Sequence, residues 1–97
     1  SPVDKKANNQ PIINKELQKE LQKTQKLFQQ VEDRIAKINK EKTSLEADLA
    51  SPDIYLERDK FLQAEKLYKE KSNELETANL EYEKLFEKIM EMEEKTQ

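Results

Sequence analysis

Apolar residues recur every seven positions along two stretches of this chain. A repeat held that long specifies helices that meet along a narrow seam. In the first stretch, steps of four and three run through Leu17, Leu21, Thr24, Phe28, Val31, Ile35, Ile38, Lys42, Leu45 and Leu49, eight of the ten being apolar. In the second they run through Ile54, Glu57, Phe61, Ala64, Tyr68, Lys71, Leu75, Ala78, Tyr82, Leu85, Ile89 and Met92, ten of the twelve being apolar. Between the two lies Ala50-Ser51-Pro52-Asp53. Pro52 cannot continue a helix from upstream but suits the first turn of a new one, with Ser51 as its expected N-cap.

Two seams of similar length joined by a short break are most economically buried against each other. The expected fold is therefore all-α, a two-helix antiparallel coiled-coil hairpin. Its boundaries are a helix over 14–50, a turn over 51–53 and a helix over 54–95, preceded by a flexible linker over 1–13, where Pro2, Pro11, Asn8 and Asn9 accompany no apolar period. At roughly 1.5 Å per residue the stretch from Leu17 to Leu49 is about 48 Å long. The favoured register sets Phe28 opposite Ala78, Thr24 opposite Tyr82, Leu21 opposite Leu85 and Ile38 opposite Tyr68, so that large residues meet small or medium ones. A slip of one heptad instead sets Lys42 opposite Glu57, Leu45 opposite Ile54 and Phe28 opposite Lys71. Lys42 and Lys71 carry their ammonium groups outward from the seam and serve to fix register.

Composition suits a thin fold. Of 97 residues, 40% are charged and only 34% hydrophobic, too few to fill a spherical core. Gly, His and Cys are each 0. Phosphate-cradling loops of the GxxxxGK and GxGxxG types need a backbone without a Cβ beside the phosphate, so neither exists here. Imidazole bases, thiolate nucleophiles and Cys/His zinc sets are excluded as well. No enzymatic activity and no cofactor are expected of this chain. No stretch approaches the roughly 18 apolar residues of a membrane span, no disulfide can form, and the expected address is cytoplasmic. A monomeric hairpin that does not engage membranes is expected.

Charge is shared unevenly between the arms. Residues 15–50 hold 8 basic and 7 acidic groups, and residues 51–97 hold 8 basic and 13 acidic, within a net charge of −3. Lys15, Lys19, Lys23, Lys26, Lys37 and Lys40 fall on the b, c and f positions that face away from the seam. They are the candidate nucleic-acid contacts, because an outward basic stripe is the electrostatic footprint of phosphate binding. A solvated helix face is the competing explanation. The paired acids Glu74/Glu76, Glu81/Glu83 and Glu93/Glu94 are expected to be solvated charges, and Asp33/Lys37, Glu65/Lys69 and Glu91/Lys95 have the i, i+4 order that supports helicity. Phe61, Tyr68 and Tyr82 are assigned to the core. Tyr55 and Leu56 at the turn, and Leu80 and Phe86 off the seam, are candidates for contact with a partner or another domain.

Pro52-Asp53-Ile54-Tyr55, Asp59-Lys60-Phe61, Leu75-Glu76-Thr77-Ala78 and Tyr82-Glu83-Lys84-Leu85 resemble the C-terminal coiled-coil domain of ABC-F ATPases. The likeness spans residues 28–92, with Tyr82 where that family commonly has Trp. The resemblance implies a hairpin appended to a protein with two ATP-binding cassettes, ATP and Mg being bound by the cassettes. It implies ribosomal RNA, tRNA or DNA as partners, or a role in positioning the cassettes. The helical arm of an aminoacyl-tRNA synthetase shares the hairpin shape and is the alternative, with a purely structural or oligomerisation coiled coil as a third.

Overall fold

The computed structural model describes the backbone of residues 2–96 and the side chains of residues 15–96. Helix α1 is Pro2–Leu49, a short α2 is Pro52–Tyr55 and α3 is Arg58–Thr96. The chain is 95% helical, and α1 packs against α3, the all-α hairpin expected from the repeat. The linker expected over residues 1–13 lies outside the range of described side chains. Leu, Lys, Glu and Gln dominate both long helices, and each loses little rotamer freedom in a helix. The chain divides into two compact units, one of Val31–Tyr82 and one of Ser1–Gln30 with Glu83–Gln97.

Within both units the buried side chains are those of the seven-residue repeat. Val31, Ile38, Ala64, Ala78, Ile89, Met92 and Thr24 are buried. The other positions of the repeat are half-buried, Glu57 alone being exposed. Thr24 is only 1% exposed, and it tolerates this because its hydroxyl donates to the Glu20 carbonyl at 2.8 Å within its own helix.

The turn departs from expectation in two ways. Pro52 forces Ser51 out of the helical region, to φ −87° and ψ 130°, and takes the first position of α2. Ser51 thus has the backbone of an N-cap, with its carbonyl accepting from the Ile54 and Tyr55 amides at 3.0 and 2.9 Å, but its side chain makes no capping bond. The second helix also does not run unbroken from Ile54. Leu56 and Glu57 interrupt it, and α3 begins at Arg58, with the Phe61 amide donating to the Glu57 carbonyl at 2.9 Å. The interruption keeps Ile54 half-buried and leaves Glu57 outside, beside Asp59 at the positive end of the α3 dipole. No described residue has positive φ, so the reversal is made without the left-handed geometry that glycine would supply.

The register is neither of the two expected. In the unit Val31–Tyr82, the ammonium of Lys42 lies 5.1 Å from the Tyr68 ring centroid and Arg34 bonds Glu81 at 2.8 Å. In the other unit, Phe28 meets Phe86 with ring centroids 6.3 Å apart. These contacts place α3 one heptad, about 10 Å, beyond the position that sets Ile38 against Tyr68. The physical reason lies in the flanks, where this register brings Arg34 to Glu81, Lys71 to Glu41 and Phe28 to Phe86, while the seam itself is mostly apolar in each register.

Removing Ile38 as Ile38→Ala should cost about 2–4 kcal/mol in chemical denaturation, because the narrow seam cannot close over the cavity. Leu80→Ala, at an exposed site, should stay within about 0.5 kcal/mol. For the register, a Lys42→Cys/Tyr68→Cys pair should oxidise within one chain much faster than Ile38→Cys/Tyr68→Cys. The opposite order would restore the expected pairing.

Candidate nucleic-acid interface

The outward positions of the repeat put all six candidate lysines in solvent, as their b, c and f places require. Lys15, Lys19, Lys23 and Lys26 follow one another on α1 within the unit Ser1–Gln30 with Glu83–Gln97, while Lys37 and Lys40 belong to the unit Val31–Tyr82. The ion pairs among the described residues are formed by other cations: Arg34 with Glu81 at 2.8 Å, Lys60 with Glu57 at 2.6 Å, Lys71 with Glu41 and Glu74 at 3.3 Å each, and Lys88 with Glu20 at 3.9 Å. Neither Glu65/Lys69 nor Glu91/Lys95 is among them.

Lys37 lines an open groove between α1 and α3, with Arg34, Ile38, Lys71, Glu74 and Ala78 among its other walls. Three basic groups converge here, yet Arg34 and Lys71 already face carboxylates, so the groove carries little free positive charge. Lys71 faces two carboxylates at once. Hydrogen bonds to Glu41 and then Glu74 hold its ammonium above the ordinary lysine value of 10.5, outweighing the opposing effect of burial. A lysine held in its charged form near neutral pH is a poor base and a poor nucleophile. It works instead as an electrostatic clasp between the two helices.

The sequence had singled out Lys71 as a polar interruption of the seam but had not found its partners. Glu41 and Glu74 occupy g positions, the flank where charges of antiparallel helices meet, as do Arg34, Glu81, Glu20 and Lys88. Among the acidic pairs, Glu74 and Glu81 are thereby engaged. Among the described residues no three acidic side chains converge as a metal site would require. Of the apolar candidates, Leu56 and Leu80 stand in solvent and Tyr55 is largely exposed, whereas Phe86 leans on Phe28. No described helix is long and apolar enough to cross a membrane.

Comparison with protein-family models, with curated proteins and with solved structures gives no match to this chain.

Because the folded-state pKa of Lys71 is raised, its stabilising contribution is complete below pH 10.5 and is lost as pH rises through the folded value. Thermal melts from neutral to strongly alkaline pH should therefore show a fall in Tm that is shallower in Lys71→Met. Identical alkaline limbs would remove the clasp.

Proposed function

We propose that this chain is a noncatalytic binding module, the coiled-coil hairpin of an ABC-F-like ATPase, whose outward lysines on α1 contact the phosphates of RNA or DNA. The observation that carries this reading is the contrast between two sets of cations. Arg34, Lys71 and Lys88, beside the seam, are tied to carboxylates. Lys15, Lys19, Lys23 and Lys26 are exposed on one helix and take part in none of these pairs. Their spacing of four, four and three residues puts four ammonium groups along about 16 Å of α1. Flexible, hydrated lysine heads suit a sequence-independent phosphate contact, in which bound counterions are released.

A second reading, a spacer that positions the ATPase cassettes, is favoured by the apolar surface left at Leu56, 76% exposed beside the turn. In that case the lysine stripe only keeps the helix in solution. The aminoacyl-tRNA synthetase arm differs from the leading reading in its parent rather than in its contact face.

Fluorescence anisotropy with labelled duplex DNA and structured RNA, titrated from low to physiological salt, separates these readings. Binding should weaken steeply with salt, and Lys19→Glu/Lys23→Glu/Lys26→Glu should lower the salt slope by about 2–3. Absence of binding at low salt, or binding indifferent to the triple substitution, would leave the hairpin as a spacer.

A further inference from the structure

Within the unit Val31–Tyr82 the observed register sets Ile38 against Leu75, Leu49 against Ala64 and Lys42 against Lys71. The last of these layers puts two ammonium groups at one level of the seam. Each is drawn off separately, Lys71 to Glu41 and Glu74 at 3.3 Å and Lys42 over the Tyr68 ring. On the flank, the g positions Glu41 and Glu74 lie level with each other, two carboxylates bridged by the Lys71 ammonium. Lys60, also a g residue, turns back to Glu57 at 2.6 Å rather than across to α1. Residues 50–63, which join Leu49 to Ala64, are more than a tight helical reversal needs, and α2 with the interruption after it takes up the excess. The Leu56 amide donates to the Pro52 carbonyl at 3.1 Å, but the Glu57 amide reaches back only three residues, to Ile54 at 3.1 Å. Leucine and glutamate are both good helix formers, so the interruption is not of their making.

We propose that the hairpin has a second stable register, reached when α2 joins α3 in one helix from Ile54 and α3 moves one heptad, about 10 Å, away from the turn. In that register Lys42 faces Ala64 and Lys71 faces Ile35, so the two ammonium groups occupy separate layers. The g flank then pairs Arg34 with Glu74 and Asp48 with Lys60, opposite charges in both cases, and Glu41 falls beside Leu67. Arg34 thus has a carboxylate in either register, Glu81 in one and Glu74 in the other. Leu49 faces Glu57, and residues 50–56 suffice to turn the chain. The interrupted segment is one heptad of chain held in reserve. Only one direction is open: a step the other way sets Glu41 against Glu81 and Asp48 against Glu74, and stretches the connection to residues 50–70. Two features hold the observed register. One is the bridging of Glu41 and Glu74 by Lys71. The other is the exposure of Glu57, whose carboxylate would lose hydration against Leu49. The two-register device is independent of what the lysines on α1 bind.

The chain has no cysteine, so spin labels at Ala47→Cys and Leu80→Cys, both exposed sites, report the register of the full chain by pulsed electron paramagnetic resonance. Their separation along the hairpin is about 21 Å in the observed register and about 31 Å in the second. The labelled chain with no other change should show the shorter distance. Glu57→Leu supplies an apolar side chain that only the second register buries, and Glu81→Lys sets Arg34 against a cation only in the observed one. Each should add a population whose distance is longer by about 5–10 Å, and together they should make it dominant, with helicity by circular dichroism unchanged. Adding Lys60→Glu, which sets a carboxylate against Asp48 in the second register, should restore the shorter distance. Glu57→Leu alters an exposed residue outside the packed seam and so decides the matter even where Glu81→Lys unfolds the chain. A single short distance in Glu57→Leu overturns the proposal. So does a longer distance indifferent to Lys60→Glu, the mark of a different rearrangement.

Discussion

Everything in this chain depends on the burial of a seam only two side chains wide. With no glycine, no cysteine and a modest stock of apolar residues, there is no disulfide or thick core to share the task. The seam must therefore be continuous, and its interruptions must each be resolved locally. Thr24 turns its hydroxyl into its own helix. Lys42 covers the face of Tyr68, an arrangement worth about 0.5–1 kcal/mol at exposed sites. Lys71 reaches out to two carboxylates. In each case an apolar layer gives way to a polar group that has somewhere to go.

How much of this was legible follows from the physics of the repeat. Burial was readable because the seven-residue period fixes which side of each helix turns inward, and Glu57 fails only because the chain breaks next to it. Pro52 announced the reversal by removing a donor and fixing φ. The second interruption, at Leu56 and Glu57, has no comparable signal, since neither residue disfavours a helix. Register was the least legible quantity. A heptad pattern slid by one repeat still sets mostly apolar against apolar, so side-chain size along the seam discriminates weakly. What discriminates are Phe86 on Phe28, Arg34 on Glu81 and Lys71 between Glu41 and Glu74, and these partners are chosen only once both helices are in place.

The candidate site was legible to a different depth. Outward lysines are recognisable from their b, c and f positions, and their exposure follows directly. Which cations would be spent within the fold was not recognisable, because that depends on register. Arg34 looks as available as Lys23 in the sequence, and Lys71, though recognisable as a seam position, shows no partner there; the carboxylates that engage both are brought by the packing of α1 and α3. The hairpin thus sorts its cations, drawing inward those beside the seam and leaving the outer set to meet whatever lies beyond the chain.

The clasp at Lys71 has a mechanical consequence. Two arms with a repeating seam could creep past each other under axial load, each step of about 10 Å recovering most of the apolar contacts. A step would drag the Lys71 ammonium away from Glu41 and Glu74 and carry Tyr68 away from Lys42. Such a layer acts as a detent, so that a push on one arm near the turn is passed to the other rather than dissipated in sliding.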